Sequence, residues 1–192
     1  ASARHAGMPM PAGVTRIEGR IVGDDNAFDD ERYGGAWHWD YLPYGYAAPI
    51  GALQYNENVA DITVTAGAET GNEALVVQQP AESDLVIVNR VKTTPAGTPT
   101  EIDIWRIPGQ TELQVSGSIG VGAKPWTTKA AVDNPTLFVA RALRAALVGA
   151  GIEVVGPAVD IDDEPTMVTA ERRVIATHKS PPLSEIGKVL MK

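Results

Sequence analysis

The sequence predicts an α+β fold that is mostly β: antiparallel sheet(s) with one packed helix at about 135–149 and a C-terminal helix start at about 182–192. Three observations lead there. Short apolar or alternating runs, separated by turn clusters, fill most of the chain. One longer segment combines a capping residue, a proline at the first helical position and apolar residues at helical spacing. Finally, 44% apolar content over 192 residues is enough for one good core or two small ones. No apolar run approaches the roughly eighteen residues of a membrane span.

Taken in order, "GVTRIEGRIVGDD" sets Val14, Ile17, Ile21 and Val22 among polar partners and closes on the turn residues Gly23 to Asn26, which reads as a strand and a turn. "NVADITVTAG" alternates Val59, Ile62 and Val64 against Asp61, Thr63 and Thr65, then stops at Gly67. "ALVVQQP", "DLVIVNRV" and "EIDIWRIPG" add three short runs between turn clusters, a spacing that favours antiparallel pairing. The stretch 68–108 is a candidate small subdomain, and its Thr, Pro and Gly near 93–99 suit a mobile hairpin tip. "TELQVSGSIGVG" reads as strand, glycine-rich bend and strand. Gly117, Gly120 and Gly122 run G-x-x-G-x-G rather than in the dinucleotide order, and no helix follows at once, so a bent or bulged strand is the expectation.

The helix follows. Asp133 or Asn134 can cap it, Pro135 stands where a missing N–H costs nothing, and Leu137, Ala140, Leu143, Ala146 and Leu147 share a face before Gly149 and Gly151 end it. "IEVVG" comes next as a strand, so the helix should pack back on the sheet. "SPPLSEIGKVLMK" offers Ser180 as a cap and sets Leu183, Ile186 and Leu190 at helical spacing. It reaches Lys192 without a stop signal, which reads as a helix cut short and the chain as a fragment.

Composition also bounds function. The net charge is −8 with Lys and Arg scattered, so no basic face is available for a nucleic acid. Without cysteine there are no disulfides, thiolate metal sites or cysteine nucleophiles. "ASARHAGMPMPAG" has no apolar stretch after a basic start, so no signal peptide is expected in these residues. His5, His38 and His178 lack a second ligand at helical spacing, and neither a metal nor a cofactor is expected. "DIDDEP" at 160–165 is calcium-like in charge but lacks the glycine and distal glutamate of a calcium loop, and it reads as a solvated acidic turn. Asp29, Asp30 and Glu31 in "FDDERYGG" read as a surface turn rather than as paired catalytic acids. "GGAWHWDYLPYGYAAPIGAL", residues 34–53, is dense in rings. It suits either a platform for an amphipathic ligand or a packing knot, with Trp37 and Trp39 over the sheet and Asp40 capping a turn.

Four blocks, "GVTRIEGRIVGDDNAFD", "WHWDYLPYGYAAPIGALQYNENVADITVTAG", "VDNPTLFVARALRAALVGAGIEVVG" and "SPPLSEIGKVLMK", resemble in order and spacing the penicillin-binding D-alanyl-D-alanine carboxypeptidase/endopeptidase family, peptidase family S13 of the PBP4 type. The resemblance covers nearly the whole chain from Gly13 on. In that family a serine acyl-transferase domain is interrupted between its first and second catalytic motifs by a β-rich insertion, and this chain resembles the insertion.

The family's S-x-x-K, S-x-N and K-T-G motifs are absent from the 192 residues; at Lys92, threonine stands where K-T-G needs glycine. No catalytic residue is therefore assigned, and the chain alone should be inactive. The resemblance implies a linker or tail at 1–13, an insertion domain at 14–178 and a truncated helix at 179–192 leading back to a catalytic domain. It implies a peptidoglycan stem peptide as substrate of the parent enzyme, its own catalytic domain as partner, and an extracytoplasmic location in periplasm or cell wall. In the family the segment like "WDYLPYGYAAP" faces the catalytic cleft. That makes Asp40 and Tyr46 the candidate substrate contacts, and Tyr41 a third because the family often carries a second acid there. A free-standing β-rich binding module of the cell envelope is the alternative.

Overall fold

The computed structural model describes residues 13–164 and 173–191. Two three-stranded sheets face each other. One has the order β4 (Leu75–Gln79), β3 (Val59–Thr65), β8 (Trp126–Ala131), with both pairings antiparallel. The other has the order β5 (Val86–Thr94), β7 (Glu112–Gly120), β6 (Glu101–Trp105). Their shared core follows from alternation along the strands: Ile62 and Val64 of β3, Val91 of β5, Ile104 of β6, and Leu113, Val115 and Ile119 of β7 all point inward. Residues 68–108 thus contribute β4 to one layer and β5 and β6 to the other.

A second layer lies beside this sandwich. Helix α1 (Pro135–Gly149) packs on two short strand pairs, β1 (Arg16–Ile17) with β9 (Glu153–Val154) and β2 (Ile21–Gly23) with β10 (Ala158–Asp160). Leu147, Ile152 and Val154 form a small core there with Ile17 and Ile21. The Arg144 guanidinium donates to the carbonyls of Val154 and Gly156, both at 2.9 Å, and so pins the helix to the bend between β9 and β10. A last helix, α2 (Leu183–Leu190), follows residues 173–182, which have no regular secondary structure. No helix among the described residues is long and apolar enough to cross a membrane.

The fold is α+β and mostly β, but its sheets are not uniformly antiparallel. β5–β7, β1–β9 and β2–β10 are parallel. Period-2 patterning marks a strand without naming its partner, and the partners of β1 and β2 lie far along the chain. "GVTRIEGRIVGDD" also divides into two strands around Gly19, because the facing bend comes very close: a Cβ on Gly156 would stand 2.4 Å from the Gly19 carbonyl oxygen.

The glycine-rich stretch is one strand rather than two. Gly117 sits inside β7 at φ +124°, where a Cβ would meet the Glu101 carbonyl oxygen at 1.9 Å. The glycine lets β6 approach instead of turning the chain. α1 starts as expected: Asn134 Oδ1 accepts from the Leu137 N–H at 2.9 Å and Pro135 follows. Its end matches too, with Gly151 at φ +85° and the Ile152 N–H returning to the Leu147 carbonyl at 3.0 Å. The buried face is rotated from the expected one. Thr136, Phe138, Ala140 and Leu147 are buried, whereas Leu143 and Ala146 are exposed. A small shift about the axis gives nearly the same apolar spacing, and the close fit of Thr136 against Gly23 selects this one. Ser180 does not cap α2; Pro182 holds that position, with no side-chain cap.

Two substitutions separate crowding from backbone strain. Gly122 has φ +72° and open space around it, so Gly122→Ala should cost roughly 1–2 kcal/mol from left-handed strain alone. Gly117→Ala must also displace the Glu101 carbonyl and should cost roughly 3–5 kcal/mol, read from urea unfolding midpoints at constant m.

Candidate functional site

The ring-rich loop is bound to the sandwich by its aliphatic and proline residues, which leaves its rings outside. Leu42, Pro43, Ala47 and Pro49 are buried, whereas Trp39, Tyr41 and Tyr46 are 57%, 47% and 70% exposed. Two short 3₁₀ turns, Trp39–Tyr41 and Gly45–Ala47, alternate the two sets. Between them the loop joins the edge of β8: the Ala131 N–H donates to the Pro43 carbonyl at 2.9 Å, and Tyr44 bridges to Ala130. Gly45 permits this approach, since a Cβ there would lie 2.7 Å from Lys129 Cβ.

A buried arginine completes the attachment. Arg106, just past β6 and 1% exposed, donates Nη1 to the Ala131 carbonyl at 2.7 Å and Nη2 to the Leu42 carbonyl at 3.3 Å. Burial pulls its pKa down, and the charges of Asp133 and Tyr33 oppose that. Burial first, then Asp133, pushes the Tyr33 hydroxyl above its ordinary value.

The rings form a connected group. Tyr44 and Tyr46 stack with centroids 5.5 Å apart and planes 6° from parallel; Tyr41 meets Tyr46 edge-on at 5.9 Å, and His38 meets Tyr41 at 5.5 Å. The Tyr44 hydroxyl donates to Asp103 Oδ1 at 2.5 Å, tying the stack to the outward face of β6. Desolvation, then the Asp103 hydrogen bond, pushes Tyr44 up to about 12. Tyr46 is raised as well, by desolvation first and then by Tyr41 and Asp40. Asp40 is exposed, and its charge acts on both Tyr44 and Tyr46.

The structure therefore brings Asp40, Tyr41 and Tyr46 together on one exposed surface. The packing-knot picture does not hold for the tryptophans: Trp37 and Trp39 are both exposed, and the 39–41 turn has no side-chain cap. Sequence reasoning missed Tyr44, Asp103 and Arg106. Asp103 could have been found from the alternation in "EIDIW", which puts it on the same face as Trp105, 42% exposed. Asp29, Asp30 and Glu31 are an exposed turn, as expected. His178 is exposed, and His5 lies outside the described residues. "DIDDEP" is not a solvated turn throughout: Asp160 is 1% exposed and accepts from Asn134 Nδ2 at 2.7 Å, because β10 runs into the start of α1.

The model of the D-Ala-D-Ala carboxypeptidase 3 (S13) family matches residues 10–192. The chain belongs to this family. It is 33% identical over 187 residues to a D-alanyl-D-alanine carboxypeptidase of an Actinomadura species, covering 94% of this chain and 34% of that protein. It is 24% identical over 182 residues to the D-alanyl-D-alanine carboxypeptidase DacB of Haemophilus influenzae, covering 94% and 36%. This S13-family chain thus spans about a third of the length of the curated relatives it matches. A crystal structure of penicillin-binding protein 4 (dacB) from Haemophilus influenzae has the same fold, with TM-score 0.72 at 23% identity over 94% of this chain and 39% of that one. The same protein complexed with a novel β-lactam aligns with TM-score 0.51 at 22% identity, over 74% and 31%.

The raised Tyr44 pKa fixes a pH dependence. Its neutral form is favoured in the folded state, so the stability it contributes is complete below about pH 10 and is lost as pH rises toward about 12. A tyrosinate absorbance titration should show a step near 12 that falls toward the ordinary value in Asp103→Asn.

Proposed function

We propose that this chain is the noncatalytic insertion domain of a serine D-Ala-D-Ala carboxypeptidase/endopeptidase, where it forms one wall of the cleft that admits peptidoglycan stem peptides. One observation carries the reading. The family match runs over residues 10–192, yet the chain spans 34–36% of its relatives and holds none of the three acyl-transfer motifs. In this reading residues 14–178 are the insertion and 179–192 lead back to the catalytic domain, outside the cytoplasm.

The chemistry of the parent would be acyl transfer by a serine outside these residues. That serine attacks the carbonyl of a D-Ala-D-Ala bond, expels the terminal amine component, and water then releases the acyl group. This domain contributes access and orientation. The Tyr41–Tyr44–Tyr46 ring group supplies a rigid amphipathic face, and Asp40 beside it suits the free amine of a stem peptide, an attraction of about 1–4 kcal/mol depending on exposure.

The test is labelling with a fluorescent penicillin. The 192-residue chain should stay unlabelled, and a longer polypeptide that includes both flanking catalytic segments should be labelled. Labelling of the short chain would reveal a nucleophile within it; labelling of neither would favour a free-standing binding module. In the full enzyme, Asp40→Asn should lower kcat/KM for an amine-bearing stem peptide by roughly 5- to 10-fold, equivalent to about 1–1.4 kcal/mol, and leave the rate of penicillin acylation unchanged.

A further inference from the structure

Three carboxylates converge at the start of α1, away from the ring cluster. Asp25 follows β2, Asp160 ends β10, and Asp162 lies in the 3₁₀ turn Ile161–Asp163. The parallel register of Gly23 with Asp160 brings these segments alongside each other. One oxygen from each acid lies within 4.8 Å of the others. Oxygens bound to one ion at about 2.4 Å can be no farther apart than that.

The two inner acids are fixed in place. Thr136 Oγ1 donates to Asp25 Oδ2, Asn134 Nδ2 donates to Asp160 Oδ2 at 2.7 Å, and the Asp162 N–H donates to Asp160 Oδ1 at 3.2 Å. What remains is not satisfied. Asp25 is 7% exposed, and its Oδ1 is fully buried with no hydrogen-bond partner. A buried carboxylate oxygen with no donor is costly, and its presence asks for a ligand.

Arg32 does not meet that need. Its Nη2 stands 3.5 Å from Asp160 Oδ2 and 3.7 Å from Asp162 Oδ2, beyond hydrogen-bond length. It supplies one positive charge, whereas Asp30 adds a further negative one.

We propose that Asp25, Asp160 and Asp162 form a binding site for a divalent cation of the calcium type, which joins the segment after β2 to the end of β10 beside the first turn of α1. The donor class favours that ion: the three side chains offer only carboxylate oxygen, which suits a hard cation, and they do not come from the contiguous loop of a helix–loop–helix site. Carboxylates on two separate segments make the ion a staple between the beginning and the end of the helix layer. The site is independent of the acyl-transfer reading.

The experiment is calorimetric titration of the chelator-treated chain with calcium chloride, with magnesium chloride in parallel and thermal unfolding in each. Calcium should bind at one site with a dissociation constant of roughly 10⁻⁴–10⁻³ M, more tightly than magnesium, and should raise Tm. Asp162→Asn, at an exposed side chain, should weaken calcium binding at least about 10-fold, as expected for the loss of one charged ligand. Arg32→Gln should tighten it, because it removes a competing cation; a purely structural ion pair would give destabilisation without any gain in affinity. Absence of saturable binding and of any Tm shift, or unchanged affinity in Asp162→Asn, would overturn the proposal. If Asp162→Asn does not fold, the calcium titration of the unaltered chain together with Arg32→Gln decides it.

Discussion

The positive charge of Arg106 is the constraint around which the rest is arranged. A guanidinium at 1% exposure has given up water, and it is tolerable only where fixed acceptors and negative charge replace that water. Nη1 and Nη2 meet the carbonyls of Ala131 and Leu42, its countercharge comes from Asp133, and its buried Nε is left without a hydrogen-bond partner. Those three residues belong to the ring-rich loop, the last residue of β8 and the approach to α1. One side chain therefore sets the distances among the loop, the sandwich and the helix layer. A lysine could not replace it, because a single ammonium on a flexible stem does not present two forked donors to two carbonyls.

From that anchoring comes the character of the candidate surface. The loop uses its aliphatic and proline residues for adhesion and turns its large rings to solvent, the reverse of what hydrophobic burial alone would choose. Contiguous exposed rings give the amphipathic surface that the proposed cleft-wall role requires. The stack is held from below by Asp103, so its geometry is preset before any contact is made, and ordering cost at the moment of contact is correspondingly small.

How much of this was legible in the sequence depended on distance along the chain. The Asn134 cap, Pro135 and the closing glycines of α1 act within a few residues, and they were readable. Asp40, Tyr41 and Tyr46, which the family resemblance implies as substrate contacts, lie on one short loop and share one exposed surface. The parallel pairings, the burial of Asp160 and the link from Tyr44 to Asp103 each join segments far apart in sequence, where local pattern carries no information. Leu143 and Ala146, expected on the buried face, are exposed for a different reason: helical periodicity tells that a face exists but leaves its angular position to the close contact of Thr136 with Gly23.

The parallel sense of the two short strand pairs has a mechanical meaning. β1 and β2 run in the same direction as β9 and β10, joined by hydrogen bonds from Glu153 to Thr15, Val155 to Ile17 and Ile21 to Pro157, each of 3.0 Å. Force drawn between Arg16 and Asp160 pulls along these strands in opposite directions. The bonds are then loaded together in shear instead of opening one after another like a zipper, and the interlocked bends at Gly19 and Gly156 obstruct sliding. The pairing that closes the helix layer thereby acts as a tension clamp, and a pull on the flanking chain is borne at these strands before it reaches the sandwich that carries the ring surface.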